Sequence, residues 1–196
     1  MSVYIHGGLR SPIGVLNGQY KHMRPEMLGA QLIDELINRH SILQVDGLFC
    51  GNAVGTGGNI GRLMGLMCNL PNSVPAITVD MQCASALMSI EIAYAHIVSG
   101  IMDSAIAGGI ESSSLQPERA YASGDDRKGT YKVAQFTPQD QSPLAMLEGA
   151  ERTIHKHNVT KEDLYPHIIG SHQRASAALD NPYFCLLYTS PSPRDT

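Results

Sequence analysis

A chain of 196 residues, 43% hydrophobic and 16% charged, has the balance of a folded protein with one large domain or two small ones, which excludes a disordered chain. Its formal net charge of −4, with no run of Lys or Arg, excludes a surface built for nucleic acid or anionic membrane. No apolar stretch is long enough to span a bilayer, and residues 1–8 lack the basic start and apolar block of a secretory signal, so a cytoplasmic location is expected.

In chain order, residues 3–5 are a short apolar run ended by Gly7-Gly8 and read as a strand. Met27, Leu28, Leu32, Leu36 and Ile37 are spaced for one face of a helix over 27–39. Residues 45–49 read as a strand closed by Gly51-Asn52, and a glycine-rich turn at 55–58 leads into a helix over 60–68. Pro71 and Pro75 bracket a linker before a strand at 76–79. Residues 83–99 form the strongest helix candidate, and 104–107 a further strand ended by Gly108-Gly109. Strands alternating with helices predict a layered α/β fold. The helix from Cys83 is apolar all round, so it is expected to be buried between other elements.

From 116 to 142 the chain is polar, rich in Gly, Pro, Asp and Gln, and without a period. A helix is predicted over 146–157. Thr160 with Asp163 makes a capping box for a further helical segment. Pro166 and Gly170 fall inside that segment, so a kink or restart is expected before 171–179. Residues 185–196 have neither strand alternation nor helix period. They read as a non-native tail, the translated read-through of an adapter, rather than a genuine Ser/Pro-rich end.

Cys50, Cys68, Cys83 and Cys185 show no CxxC spacing and read as reduced thiols, at most one of them catalytic. Cys83 follows a strand and opens a helix, where unpaired N–H groups and a positive partial charge favour a thiolate. Its small neighbours Ala84, Ser85 and Ala86 leave room for a substrate. On these grounds Cys83 is either a nucleophile or a buried structural thiol. The spacing of Gly55, Gly57 and Gly61 is wrong for a dinucleotide fingerprint, and His155 and His157 do not share a helix face, so neither a nucleotide cofactor nor a metal is expected. Asp125-Asp126 beside Arg127-Lys128 reads as a mixed charged loop tip, and Glu91 as a paired core carboxylate.

Four ordered motifs favour the nucleophile reading of Cys83. Arg10-Ser11-Pro12-Ile13-Gly14, Gly51-Asn52-Ala53-Val54-Gly55 with Gly58-Asn59 and Arg62, Asp80-Met81-Gln82-Cys83-Ala84-Ser85-Ala86-Leu87, and Ala107-Gly108-Gly109-Ile110-Glu111-Ser112-Ser113-Ser114 resemble the amino-terminal motifs of the thiolase family. The likeness is good over residues 3–114 and weaker over 142–184. Ala86 stands where the family has glycine, and Asp80-Met81 where it has Asn-Arg or Asp-Arg.

The resemblance implies the layered α-β-α-β-α thiolase fold. Residues 1–114 would be part of its amino-terminal α/β domain and 115–184 part of the loop domain. It implies acyl transfer to or from coenzyme A, a substrate rather than a cofactor, through an S-acyl Cys83 whose backbone N–H helps to stabilise the oxyanion. Met146 with Ala150-Glu151 resembles a family segment in which the methionine lies near the pantetheine arm; plain core packing is the alternative. Ser171-His172-Gln173-Arg174-Ala175 resembles the next family segment and reads as scaffold. The resemblance further implies a homodimer or tetramer, with the strand at 76–79 pairing across a two-fold axis. The family's activating histidine (Gly-His-Pro) and second cysteine (Cys-x-Gly-Gly) are absent from these residues, so this chain alone is expected to be inactive. The alternatives are a β-ketoacyl synthase-like condensing enzyme and a non-catalytic thiolase-like carrier or scaffold protein.

Overall fold

The computed structural model describes residues 2–55, 57–132, 134, 135, 138, 142 and 144–179, in two compact units. The first, ending at Lys132, is built around a parallel sheet.

Helix α1 (Pro25–His40) starts with proline at its first turn, where the missing N–H costs nothing, and stops at Ser41 in the left-handed conformation. Strand β1 (Gly47–Gly51) runs into helix α2 (Ile60–Met67). The Asn59 side chain accepts the Arg62 N–H at 3.0 Å, which caps α2. Strand β2 (Ala76–Val79), helix α3 (Ser85–Val98) and strand β3 (Ala105–Gly109) follow. The strand order is β2-β1-β3, all parallel, with Leu48 opposite Ala76 and Ile106.

Because β2 and β3 lie on opposite sides of β1, right-handed crossovers put α2 and α3 on opposite faces of the sheet. The side chains agree. Leu48 and Cys50 join Ile33, Ile60, Met64, Leu70 and Val74 in one core beneath α2, whereas the Phe49 ring meets His96 of α3 at 5.2 Å. Strand β1 is therefore buried on both faces, as a central parallel strand must be.

The structure departs from the sequence-based expectations at several places. Residues 3–5 are not a strand; Tyr4 and Ile5 are exposed and pair with nothing in the sheet, whose edges are β2 and β3. Helix α1 fully buries Pro25, Glu26, Gly29, Ala30 and Ile33; of the expected stripe Met27 is exposed and Leu28, Leu32, Leu36 and Ile37 are half-buried, Ile37 against the core. It packs on α2 so closely that the Met64 thioether fills the space beside Gly29, and only small residues fit at that contact. Strand β1 begins two residues later than expected, and α3 at Ser85 rather than Cys83.

Helix α3 buries only Ser85, Ser89 and Ala93. Its other face, with Leu87 68% and Ile90 48% exposed, is open, so the all-round apolar character is only half used. Glu91 lies on that open face, exposed, and is not a core carboxylate. The segment after β3, read as structureless, contains a short antiparallel hairpin, β4 (Arg119–Ala120) with β5 (Thr130–Tyr131). Tyr121 stacks on Tyr131 at 4.5 Å, and Arg127 at the turn sits 4.4 Å over Tyr121 while pairing with Asp125 at 2.7 Å.

The second unit comprises helices α4 (Ala145–His157) and α5 (Lys161–Leu179). The capping box is present: the Thr160 N–H donates to Asp163 Oδ2 at 2.8 Å and the Asp163 N–H to Thr160 Oγ1 at 3.2 Å. Contrary to the expected restart, α5 runs through Pro166 and Gly170. The proline forfeits one bond near the amino end, and alanines at 175, 177 and 178 favour helix beyond it. No helix among the described residues is long and apolar enough to cross a membrane. Cys185 and the tail at 185–196 lie outside the described residues.

Candidate active site

All three parallel strands end at the same edge of the sheet, and the loops leaving it carry the sequence motifs. In open α/β sheets this carboxyl edge is where ligands bind. Strand β1 ends at Gly51 and continues into Asn52-Ala53-Val54, β2 ends at Val79 and leads through Asp80 to Cys83, and β3 ends at Gly109 before Ile110-Glu111.

The turn bearing Cys83 is tightly held. Gln82 has φ of 53°, a left-handed conformation unusual for a residue with a side chain and of the kind that gathers at functional sites. Three polar contacts hold it there. Asp80 Oδ1 accepts the Gln82 N–H at 3.0 Å, the Met81 N–H donates to Ser85 Oγ at 2.8 Å, and the Ser85 hydroxyl donates to the Gln82 carbonyl at 2.6 Å. Cys83 therefore sits on a sharp corner between β2 and α3, ahead of the Ala84 cap, and it is exposed.

The start of α3 lies hard against the sheet edge. Ser89, fully buried, places its hydroxyl 2.7 Å from the Ala86 carbonyl and 2.9 Å from the Gly108 carbonyl, which joins helix to strand. The Ala86 methyl, present where the resembling family has glycine, points toward β3; a Cβ at Gly109 would stand 3.0 Å from it. Ala86 itself remains exposed.

Beside this corner the loop after β1 is gripped by the motif residues Asn52 and Glu111 and by Arg119, which stands in no motif. Glu111 Oε2 accepts the N–H groups of Ala53 and Val54 at 3.0 and 2.8 Å. The Asn52 amide donates to the Ile110 carbonyl at 2.7 Å and to Glu111 Oε1 at 3.2 Å. Arg119 Nη2 holds the Val54 and Gly55 carbonyls at 3.2 and 2.5 Å. Farther along, Asn59 Nδ2 reaches the Ala76 carbonyl at 2.9 Å and Arg62 the carbonyls of Val74 and Asn72, fixing β2 and thus the run into Cys83. The spacing of Asp80, Gln82 and Ser85 was the available signal for the corner: Asp and Ser bonding to nearby backbone make such turns.

Of the predicted site residues, Cys83 stands at this edge. Met146 belongs to the second unit, on α4, a helix with no buried residue, and is 78% exposed. Among the described residues no group of three His, Cys, Asp or Glu side chains could hold a metal ion.

The three described thiols differ sharply. Cys50 is 2% exposed, and burial pushes its pKa up to about 11. Burial also raises that of the half-buried Cys68. At pH 8 a thiol of pKa about 11 is roughly one part in a thousand thiolate. Iodoacetamide at pH 8 is therefore expected to modify Cys83 first, then Cys68, with the buried Cys50 last. Peptide mapping over a time course checks this, and equal labelling of all three would contradict it.

A family model described as "Thiolase, N-terminal domain" matches residues 3–185. Two bacterial relatives named "Putative acetyl-CoA C-acetyltransferase" are similar to the chain. VraB of Staphylococcus aureus (strain MW2) is 33% identical over 178 residues, which is 88% of this chain and 47% of the relative. YhfS of Bacillus subtilis (strain 168) is 34% identical over 186 residues, 94% of this chain and 47% of the relative. The crystal structure of the Bacillus anthracis acetyl-CoA acetyltransferase matches with a TM-score of 0.75 at 25% identity, over 92% of this chain and 48% of that one. The chain spans about half the length of the curated relatives it matches.

Proposed function

The chain belongs to the thiolase family, as its amino-terminal portion, and from that premise we propose that it carries the nucleophile of an acyltransferase acting on coenzyme A thioesters. The observation that carries this reading is the exposed Cys83 on its braced corner at the carboxyl edge of the sheet. The thiolate attacks the thioester of an acyl-CoA, or the ketone of a 3-ketoacyl-CoA. The Cys83 N–H donates to the oxyanion of the tetrahedral adduct, and collapse leaves the acyl group on sulfur as the C–S bond of an acyl-CoA breaks to release CoA thiolate, or the C–C bond of a 3-ketoacyl-CoA breaks to release the acetyl-CoA enolate, which takes up a proton. A second CoA species then takes the acyl group. Splitting the reaction in this way supports thiolysis and condensation alike.

An acyl group on Cys83 distinguishes this reading from a non-catalytic carrier or scaffold. The test is whether acetyl-CoA leaves an acetyl thioester on the Cys83 peptide, detected by mass spectrometry and released by hydroxylamine. Cys83 left unmodified at saturating acetyl-CoA would sink the proposal. Met146 enters it as a group that packs against the pantetheine arm; its exposed thioether suits a flexible apolar ligand.

The same premise suggests a dimer formed through β2. That strand is an edge of the sheet and Ile77 is 46% exposed on it, an arrangement that invites pairing with a second copy. Ile77→Lys is expected to convert a dimer to monomer or to prevent soluble expression, as read by light scattering. A dimer unchanged by the substitution would rule this interface out. The open face of α3, with Leu87 and Ile90, is in this reading covered by the carboxyl-terminal half of the enzyme.

A further inference from the structure

We propose that Ser85 is the residue that aims the oxyanion donor: by anchoring the Gln82 carbonyl, its hydroxyl turns the Cys83 N–H away from the helix and toward the space where substrate meets the sulfur. The proposal rests on the acyl-transfer reading of Cys83 and adds to it a named positioning residue.

The Gln82 carbonyl and the Cys83 N–H belong to one peptide unit, which is planar and trans, so they point in opposite directions. The carbonyl is held twice from the α3 side, by the Ser85 hydroxyl at 2.6 Å and by the Ser85 N–H at 3.1 Å. Wherever that carbonyl is pinned, the N–H on the far side of the plane is aimed with it. Left-handed Gln82 sets the turn, and its own N–H is tied to Asp80. The Ser85 oxygen in turn accepts the Met81 N–H at 2.8 Å, which uses the hydroxyl as both donor and acceptor. Ser85 is 5% exposed, so it touches no substrate and acts only through the backbone. A left-handed residue that carries a side chain costs energy, and a buried hydroxyl with both its bonds made is the kind of support that lets such a conformation persist.

An oxyanion donor affects attack on a carbonyl but not displacement at an sp³ carbon. That difference separates the proposed role from a merely structural one. Acetylation of Cys83 by p-nitrophenyl acetate proceeds by attack of the thiolate on the ester carbonyl. An S–C bond forms as the C=O becomes an oxyanion, and collapse breaks the C–O bond to release p-nitrophenolate. Alkylation by iodoacetamide displaces iodide with no oxyanion. Both rates are measured at the Cys83 peptide of the 196-residue chain by mass spectrometry, so that Cys50 and Cys68 do not contribute. In Ser85→Ala, acetylation is expected to fall about tenfold or more while alkylation changes by less than about twofold; loss of a whole donor costs about a hundredfold or more, and here the donor is misaimed rather than removed. Ser85→Thr, which keeps the hydroxyl, is expected to restore the ratio. Should Ser85→Ala lose its fold by thermal melting, the equally sized pair Ser85→Thr and Ser85→Val carries the comparison, with only valine losing acetylation. Equal loss of both reactions, or no change in either, overturns the proposal. A ratio that falls as expected in a protein that acetyl-CoA never acetylates supports Ser85 and removes the coenzyme A reading. An unchanged ratio in a protein that acetyl-CoA does acetylate does the reverse.

Discussion

Cys83→Ser is expected to abolish acetylation of the chain by acetyl-CoA, lowering the rate at this position by a factor on the order of 10⁴ or more, the scale seen when a covalent nucleophile is removed. The oxygen of serine occupies nearly the same place, so the fold and the braced corner survive and the loss is chemical. A serine hydroxyl is a weak nucleophile unless a base removes its proton. Neither Gly-His-Pro nor Cys-x-Gly-Gly, the motifs expected to supply such groups, occurs in these 196 residues. The same reasoning sets the ceiling for the unsubstituted chain. A thiol is nucleophilic without a base where a hydroxyl is not, so the chain is expected to take one acetyl group on Cys83 slowly and to show no sustained thiolysis of acetoacetyl-CoA. Measured turnover by this chain alone would contradict the assignment of the missing groups. Retained acetylation in Cys83→Ser would contradict the nucleophile.

Gly51→Ala is expected to destabilise the first unit by about 3 kcal/mol or more, the upper range for overpacking, because the atoms in the way cannot yield. A Cβ at Gly51 would lie 2.5 Å from both the Ala86 nitrogen and the Ser85 carbonyl carbon, which are backbone atoms at the start of α3. Relief would require moving the helix off the strand, and with it the corner that carries Cys83. Gly65→Ala is the control. It lies inside α2, where a Cβ would meet Leu48 at 3.4 Å, an ordinary contact. There the exchange removes a glycine from a helix interior and is expected to stabilise by about 0.5–1 kcal/mol. Thermal or urea unfolding of the two variants reads both signs. A Gly51→Ala protein as stable as the parent would mean that the helix start is not packed as described.

What the sequence by itself determined follows from local physics. The period of apolar residues and the positions of Gly, Pro, Thr160 and Asp163 located α2, β2, α3, α4 and the start of α5 to within a residue or two, because propensity and capping are decided by near neighbours. The order of motifs likewise identified the family, since a motif is a string and can be read as one. What only the tertiary structure decided is where partners come from far away in the chain. Residues 3–5 have the composition of a strand, yet no neighbouring strand is available to them among the described residues. The stripe of large residues on α1 suggested one face, and the close approach of Met64 centred the buried face on Gly29, Ala30 and Ile33 and left Met27 exposed. The carboxylate of Glu111 holds a loop 57 residues earlier, and Gly51 is required by a helix that begins 34 residues later. The brace on Cys83 spans only residues 80 to 85, so its residues were in plain view. Its hydrogen bonds were not, because a peptide plane has a direction only once its carbonyl has found what holds it.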